Sequence, residues 1–189
     1  MRRDEFEHVI AAAANATGED EFVVVGSQAI LGVVANPPAA MLVSMEVDLY
    51  PRHAPEKADL IDGALGDGSP FHQAFGYYAH SVGPETAKAP KGWPDRAMAV
   101  AVSPRVGSDR MPIAYCLEPH DLVLAKLVRG SDRDWEYAGT ALDAGIVRID
   151  ELLRRTADLP AESRRIEHIR RQLRALASEV IDGMRDDSR

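Results

Sequence analysis

The fold of this chain follows from a β-branched run that stops at a glycine: Val23-Val24-Val25-Gly26-Ser27-Gln28-Ala29-Ile30-Leu31-Gly32. The apolar run predicts a buried strand, and the pattern after Ser27 predicts a helix. Gly26 permits a backbone shape in the turn that a Cβ would forbid. A helix that begins here points unpaired N–H groups, and the positive end of its dipole, over the turn. The turn therefore predicts a phosphate site, to which the Ser27 hydroxyl adds one donor.

Two acidic residues lie on the next predicted strand, in the segment Leu42-Val43-Ser44-Met45-Glu46-Val47-Asp48-Leu49-Tyr50-Pro51. Glu46 and Asp48 are two residues apart, so their side chains leave the same face of a strand. Adjacent carboxylates repel each other unless a cation lies between them, and a hard divalent ion such as Mg²⁺ suits that position. The opposite face is apolar and indicates a half-buried central strand: Val43, Met45, Val47 and Leu49.

Together these segments resemble the nucleotidyltransferase superfamily, and within it the bacterial AbiEii and MenT-type toxin-like proteins. The resemblance covers roughly residues 20 to 140, including the segment 121–135. In that family the Gly-Ser turn holds a nucleoside triphosphate (NTP), the acidic pair holds Mg²⁺ or Mn²⁺, and a Lys and an Asp on consecutive helices complete the site. The resemblance implies metal binding by Glu46 and Asp48, nucleotide binding by Gly26, Ser27, Lys126 and Arg129, and catalysis by Glu46, Asp48, Lys126 and Asp134.

The chain departs from the family pattern in two places. Glu46 stands where the family usually has Asp, which keeps the charge but lengthens the side chain by one methylene. Residues 32–45 contain no basic residue, whereas many relatives have an Arg or Lys there. A phosphate clamp must therefore come from another part of the chain.

The downstream residues also have structural interpretations. Lys126 lies in an apolar helix, from which a lysine side chain can extend its charge to water. The resemblance implies that Asp134 orients Lys126 or acts in the site; otherwise Asp134 is an acid near a helix start that Ser131 or Asp132 caps. For Lys126 and Asp134 alike, both a structural role and a role in the nucleotide site stay open.

Other basic residues leave a similar choice. Arg129 and Arg133 either contact phosphates or belong to the solvated surface. The run from Arg164 to Arg174 is either a solvated helix face or a contact for RNA or an acidic partner.

Composition narrows the class of protein. The chain has 189 residues, a net charge of −8 and a hydrophobic fraction of 46%, which is typical of a globular domain and argues against indiscriminate binding of nucleic acid. No apolar run approaches the length of a membrane span, and the N-terminus lacks a signal-peptide core. The single cysteine, Cys116, excludes an internal disulfide and is expected in the core of a protein of the bacterial cytoplasm. Five of the six histidines show no metal-ligand spacing, and His53, which follows the acidic strand, is expected at the rim of the cleft.

The order of predicted elements indicates an α/β (α+β) fold with a small mixed sheet flanked by helices. Strands are predicted at 22–25, 42–49, 75–81, 97–102 and 112–117, and helices at 4–16, 27–34 and 55–65. Four helices then follow without a strand, at about 118–129, 132–143, 149–157 and 161–183. This pattern predicts a core of residues 1–117 and a helical part of residues 118–189 that completes the site.

Two hypotheses for function follow. The first is a metal-dependent nucleotidyltransferase that moves a nucleotide from an NTP to a hydroxyl of RNA, such as tRNA, or of a protein; the resemblance implies that it acts as a toxin with an antitoxin partner. The second is a catalytically inactive nucleotide-binding or protein-interaction module on the same scaffold, which Glu46 and the missing basic residue favour.

Overall fold

The computed structural model describes residues 1–103 and 110–186, with residues 179–186 as backbone only. Within these residues the chain forms helices and one mixed sheet of five strands, which confirms the predicted α+β class. The strands are β1 (Glu21–Val24), β2 (Glu46–Pro51), β3 (Tyr78–Ser81), β4 (Met98–Ala101) and β5 (Ile113–Cys116). The helices are α1 (Arg3–Thr17), α2 (Ala29–Val33), α3 (Ala58–Leu65), α4 (Pro70–Phe75), α5 (Trp93–Arg96), α6 (Pro119–Arg129), α7 (Asp132–Asp143), α8 (Ile149–Arg155) and α9 (Ser163–Asp186).

The sheet places the Gly26 turn beside the acidic strand. Its order is β3-β2-β1-β5-β4, with β1 antiparallel to β2 and parallel to β5. β2 runs parallel to β3, and β4 runs antiparallel to β5. Because β1 ends at Val24 while β2 begins at Glu46, the turn after β1 lies next to the first residues of β2.

Side-chain alternation along β2 divides its two faces. Val47 and Leu49 are fully buried, and α1 and α3 pack against this part of the sheet. Glu46 and Asp48 leave the opposite face and are half-buried. The prediction that the two acids share one face is therefore confirmed.

The start of β2 differs from the prediction. Residues 42–45 are not in the sheet, and the side chains of Val43 and Met45 are 79% and 56% exposed, so they do not form the apolar face expected of them. Hydrogen bonds outside the sheet supply the reason: the Glu46 N–H donates to Ser44 Oγ (3.1 Å), and the N-terminal amino group donates to the carbonyl oxygen of Leu42 (2.9 Å). Such bonds give the backbone partners outside the ladder.

Helix α4 was not predicted, and its last residue, Phe75, was assigned to the strand predicted at 75–81. Ser69 is its N-cap and accepts a hydrogen bond from the His72 N–H (3.1 Å), Pro70 is its first residue, and Gly76 ends it with φ of 77°. These are ordinary signals of helix ends. The aromatic residues around Phe75 favoured the strand prediction instead.

Two compact units make up the chain. The first comprises Met1–Ala87 and Pro94–Glu118 and contains the sheet. The second comprises Lys88–Trp93 and the chain from Pro119 onward, and contains α6 to α9. Helices of the described residues are all too short or too polar to cross a lipid bilayer.

Candidate functional site

The carboxylate of Asp48 lies directly against Gly26. The Val25 N–H donates to the Asp48 carbonyl oxygen (3.0 Å), which extends the pairing of β1 and β2 to the turn. A Cβ added to Gly26 would lie 2.6 Å from Asp48 Cγ and 2.9 Å from Asp48 Cβ, and would overlap Oδ2. Gly26 does not have a positive φ, so the predicted backbone reason for glycine is wrong. Glycine is required here because the acidic side chain occupies the space of a Cβ.

The turn itself uses the amides that were expected to bind phosphate. The N–H groups of Ala29, Ile30 and Leu31 donate to the carbonyls of residues 26–28, at 3.0, 3.4 and 3.0 Å. Helix α2 has five residues, and its first turn is closed by these i→i+3 bonds. The prediction of unpaired helix N–H groups is wrong for these three residues.

Gln28 is a polar residue of this turn for which no role was predicted. Its side chain is fully buried, and neither its amide oxygen nor its amide nitrogen has a hydrogen-bond partner among the described residues. A buried amide without partners costs a folded protein stability. The turn beside Asp48 thus contains hydrogen-bonding capacity that the described contacts leave unused.

Both acids of β2 are hydrogen-bonded to side chains of β3. The parallel register places Tyr78 opposite Glu46 and His80 opposite Asp48. The Tyr78 hydroxyl donates to Glu46 Oε2 (2.8 Å), and His80 Nδ1 lies 3.0 Å from Asp48 Oδ1. The hydrogen bond to Glu46, together with burial, raises the pKa of Tyr78 to about 12, so Tyr78 stays a donor at neutral pH.

Sequence reasoning missed Tyr78 and His80. Their spacing of two residues matches that of Glu46 and Asp48, and this was the available signal. The match becomes informative only when β2 and β3 are known to pair in parallel and in this register.

An open cleft of about 380 Å³ adjoins these pairs in the first unit. Three of its seven lining residues are acidic. One of them, Asp62, accepts hydrogen bonds from the backbone N–H and hydroxyl of Ser81 (2.8 and 2.6 Å). Such a cleft favours a cationic ligand or a metal ion over a bare anion. The lining residues are Glu46, Asp62, Gly66, Asp67, Tyr78, Ala79 and His80.

The second unit brings together the downstream residues that the resemblance implied. The carboxylate of Asp134 is fully buried and accepts hydrogen bonds from Arg129 Nε (2.9 Å) and Nη2 (2.6 Å). Lys126 Nζ lies 3.4 Å from Asp134 Oδ1 and 4.6 Å from the centre of the Tyr137 ring. Lys126 is 13% exposed and Arg129 is 70% exposed, so the cluster presents cationic groups around a buried acid.

Asp134 makes contacts that fit both interpretations that the sequence left open. It contacts Lys126, and it also completes a capping box at the start of α7 by accepting hydrogen bonds from the Ser131 N–H (3.0 Å) and hydroxyl (2.8 Å). Burial alone would raise the pKa of Asp134, but the hydrogen bonds from Arg129 and Ser131 outweigh burial and hold it well below its usual range. Asp134 is therefore ionised at neutral pH and fixes the side chains around it.

Two other predicted features have structural roles. Cys116 is fully buried, and burial raises the pKa of its thiol to about 12, which confirms a core thiol.

In the basic run of α9, Arg165 Nη2 donates to the carbonyl oxygens of Leu127 and Arg129 (both 3.0 Å), at the end of α6. Arg164 in the same run is exposed.

The side chains near Glu46 and Asp48 limit the kind of metal ion that could bind there. In the described part of the chain, no three His, Cys, Asp or Glu side chains come together as a ligand group. Two carboxylates on one strand face, one of them seated in the space above a glycine, fit an ion that takes its other ligands from water and phosphate oxygens. That pattern is typical of Mg²⁺.

We compared the chain with protein-family models, with curated proteins and with solved structures, and none of the three comparisons found a match.

Proposed function

We propose that this protein is a metal-dependent nucleotidyltransferase. The observation that carries the proposal is the position of Asp48, whose carboxylate lies on Gly26 and shares a strand face with Glu46. A pair of acids beside a Gly-Ser turn is the arrangement from which the family resemblance was drawn. The cationic cluster of the second unit is a separate observation in its favour.

The first unit would hold the metal. Glu46 and Asp48 would bind Mg²⁺ or Mn²⁺, and Gly26 allows Asp48 to approach the turn. When bound, the ion would stabilise charge on the leaving pyrophosphate and lower the pKa of an attacking hydroxyl. The Ser27 hydroxyl would donate to a phosphate oxygen of the NTP.

The second unit would supply positive charge. Lys126 and Arg129 would neutralise phosphate oxygens of the NTP, since phosphoryl and nucleotidyl transfer depend mainly on positioning and electrostatic stabilisation. Asp134 would hold both side chains in place through the contacts described above. Its role would be that of a positioning residue.

The acceptor would be a hydroxyl of RNA, such as a tRNA end, or of a protein side chain. The family resemblance favours a toxin controlled by an antitoxin partner. A net charge of −8 disfavours tight nonspecific binding of RNA, so an RNA acceptor would need local contacts.

Incubation of the protein with each labelled NTP, Mg²⁺ or Mn²⁺, and a bacterial extract tests the proposal. We expect label from at least one NTP to enter RNA or protein, and we expect Glu46→Gln and Asp48→Asn to abolish it. Asp59→Asn is the matched control, because Asp59 is an exposed acid of the same unit on α3. Absence of labelled product with every NTP and both metals would contradict the proposal.

One observation favours the alternative of an inactive nucleotide-binding or interaction module. Glu46 and Asp48 each already have a hydrogen-bond partner on β3, as acids of a purely structural face would. This alternative predicts NTP binding that is indifferent to metal, with no labelled product. Binding measured with and without Mg²⁺ separates the two functions.

A further inference from the structure

Strand β3 supplies a donor for each acid of the proposed metal site. We propose that Tyr78 and His80 are positioning residues that orient the Glu46 and Asp48 carboxylates and thereby set the affinity of the site for a divalent cation. This inference rests on the proposed function, because it concerns the same metal.

The register of the sheet produces both contacts at once. β2 and β3 are parallel, with Glu46 opposite Tyr78, Val47 opposite Ala79 and Asp48 opposite His80. Side chains of paired residues leave the same face, so the two acids meet the two donors on one surface. The buried pair between them, Val47 and Ala79, leaves the other face and fixes this register in the core.

Tyr78 restrains the longer of the two acids. A glutamate side chain has one more rotatable bond than aspartate, and its loss of freedom on binding a metal costs free energy. The Tyr78 hydroxyl holds Glu46 Oε2 at 2.8 Å and so removes part of that cost in advance. Tyr78 thereby restrains the more flexible of the two carboxylates.

Asp48 is restrained from two sides. Its Oδ1 lies 3.0 Å from His80 Nδ1, and its Oδ2 lies in the space that a Cβ of Gly26 would fill. An imidazole N–H that donates to a carboxylate fixes the carboxylate plane. Residues that hydrogen-bond to metal ligands orient those ligands in the same way in other metal sites. His80 is itself 53% exposed, so removing its ring leaves little of the core unpacked.

Titration with Mn²⁺ alone, followed by electron paramagnetic resonance of the free ion, tests the assignment on the full-length protein. We expect Tyr78→Phe and His80→Ala each to weaken Mn²⁺ binding about 10- to 100-fold, which is the usual effect of removing a hydrogen-bond partner of a metal ligand. We expect His80→Asn to recover most of the affinity, since its amide N–H can occupy the position of Nδ1–H. Circular dichroism and thermal unfolding show whether each variant is folded.

Two matched controls use the same substitutions outside the site. Tyr77→Phe removes a hydroxyl that lies 2.7 Å from His8 Nδ1, and His53→Ala removes a ring that pairs with Glu21. Both should bind Mn²⁺ as the wild type does.

The outcomes separate this inference from the proposed function. If the wild type binds Mn²⁺ and either Tyr78→Phe or His80→Ala binds it equally well, the assignment is overturned for that residue while the metal-dependent function stands. If the wild type binds no Mn²⁺, both this inference and the proposed function are overturned.

Discussion

At the scale of single residues, Gly26 and Asp48 act as one unit. The turn after β1 has a glycine because the neighbouring strand directs a carboxylate into it, and any larger residue would collide with that carboxylate. Sequence alone places glycine in the turn but gives the wrong reason, since the contact joins residues that are 22 positions apart in the chain.

We expect Gly26→Ala to displace Asp48. Overpacking of this kind lowers the free energy of unfolding by about 1–3 kcal/mol, and loss of the Asp48 position should weaken Mn²⁺ binding as well. Urea unfolding followed by circular dichroism, together with the Mn²⁺ titration, measures both effects.

Gly63→Ala is the control for this substitution. Gly63 lies within α3, and a Cβ there would meet no heavy atom within 4 Å. Because alanine favours the helix by up to about 1 kcal/mol relative to glycine, this variant should be at least as stable as the wild type. Equal behaviour of the two variants would contradict the steric role of Gly26.

Asp134 gives a prediction with a defined pH dependence. We expect Asp134→Asn to lower the free energy of unfolding by about 2 kcal/mol at neutral pH, because it removes a buried charge that Arg129 and Lys126 pair with. The folded-state pKa lies below the unfolded-state value, so this stabilisation is complete above about pH 4 and is lost as the pH falls towards the folded-state pKa. The difference between wild type and variant should therefore shrink below about pH 4.

Tryptophan fluorescence during urea unfolding measures this difference. Both tryptophans, Trp93 and Trp135, belong to the second unit, so their fluorescence reports the unit that contains Asp134. A difference in stability that stayed constant from neutral to acidic pH would show that the Asp134 charge is not the cause.

At the scale of elements, the sequence predicts which helices and strands exist better than it predicts where they begin and end or which strands pair. Helices α6 and α7 have clear periodicity and were predicted within about one residue of their observed bounds. The start of β2 was predicted too early because side-chain and terminal hydrogen bonds near Ser44 compete with the ladder. The parallel pairing of β2 with β3 joins segments on either side of α3 and α4, so no local pattern encodes it.

Helix α9 stabilises the end of α6 through one arginine. We expect Arg165→Ala to lower the free energy of unfolding by about 1 kcal/mol, because two carbonyl oxygens at the end of α6 lose a charged donor. Arg164→Ala removes the same charge from an exposed position and should have little effect. Tryptophan fluorescence in urea compares the two, and equal stabilities would contradict the capping role of Arg165.

At the scale of the whole molecule, the residues with proposed roles belong to both units. The metal is assigned to Glu46 and Asp48 of the first unit, and phosphate neutralisation to Lys126 and Arg129 of the second. The pattern of β2 predicts a metal at the acidic pair, and the family resemblance implies the roles of Lys126 and Arg129. Neither could indicate Tyr78 and His80, which lie beside the acids only because of long-range strand pairing.

We expect Lys126→Gln to separate phosphate neutralisation from metal binding. Loss of its charge should lower nucleotide transfer by at least about 100-fold, as removal of an electrostatic stabiliser does in other enzymes. Mn²⁺ binding by the first unit should be unchanged, because the metal ligands are untouched. Full transfer activity in this variant would exclude Lys126 from the reaction.

Calorimetric titration of NTP, with and without Mg²⁺, tests the acidic pair most directly. Wild type, Asp48→Asn and the control Asp59→Asn should be compared under the same conditions. We predict Mg²⁺-dependent binding in the wild type and in Asp59→Asn, and its loss in Asp48→Asn. Binding that is equally strong without Mg²⁺, or that Asp48→Asn leaves intact, would contradict the assignment of the metal to Glu46 and Asp48.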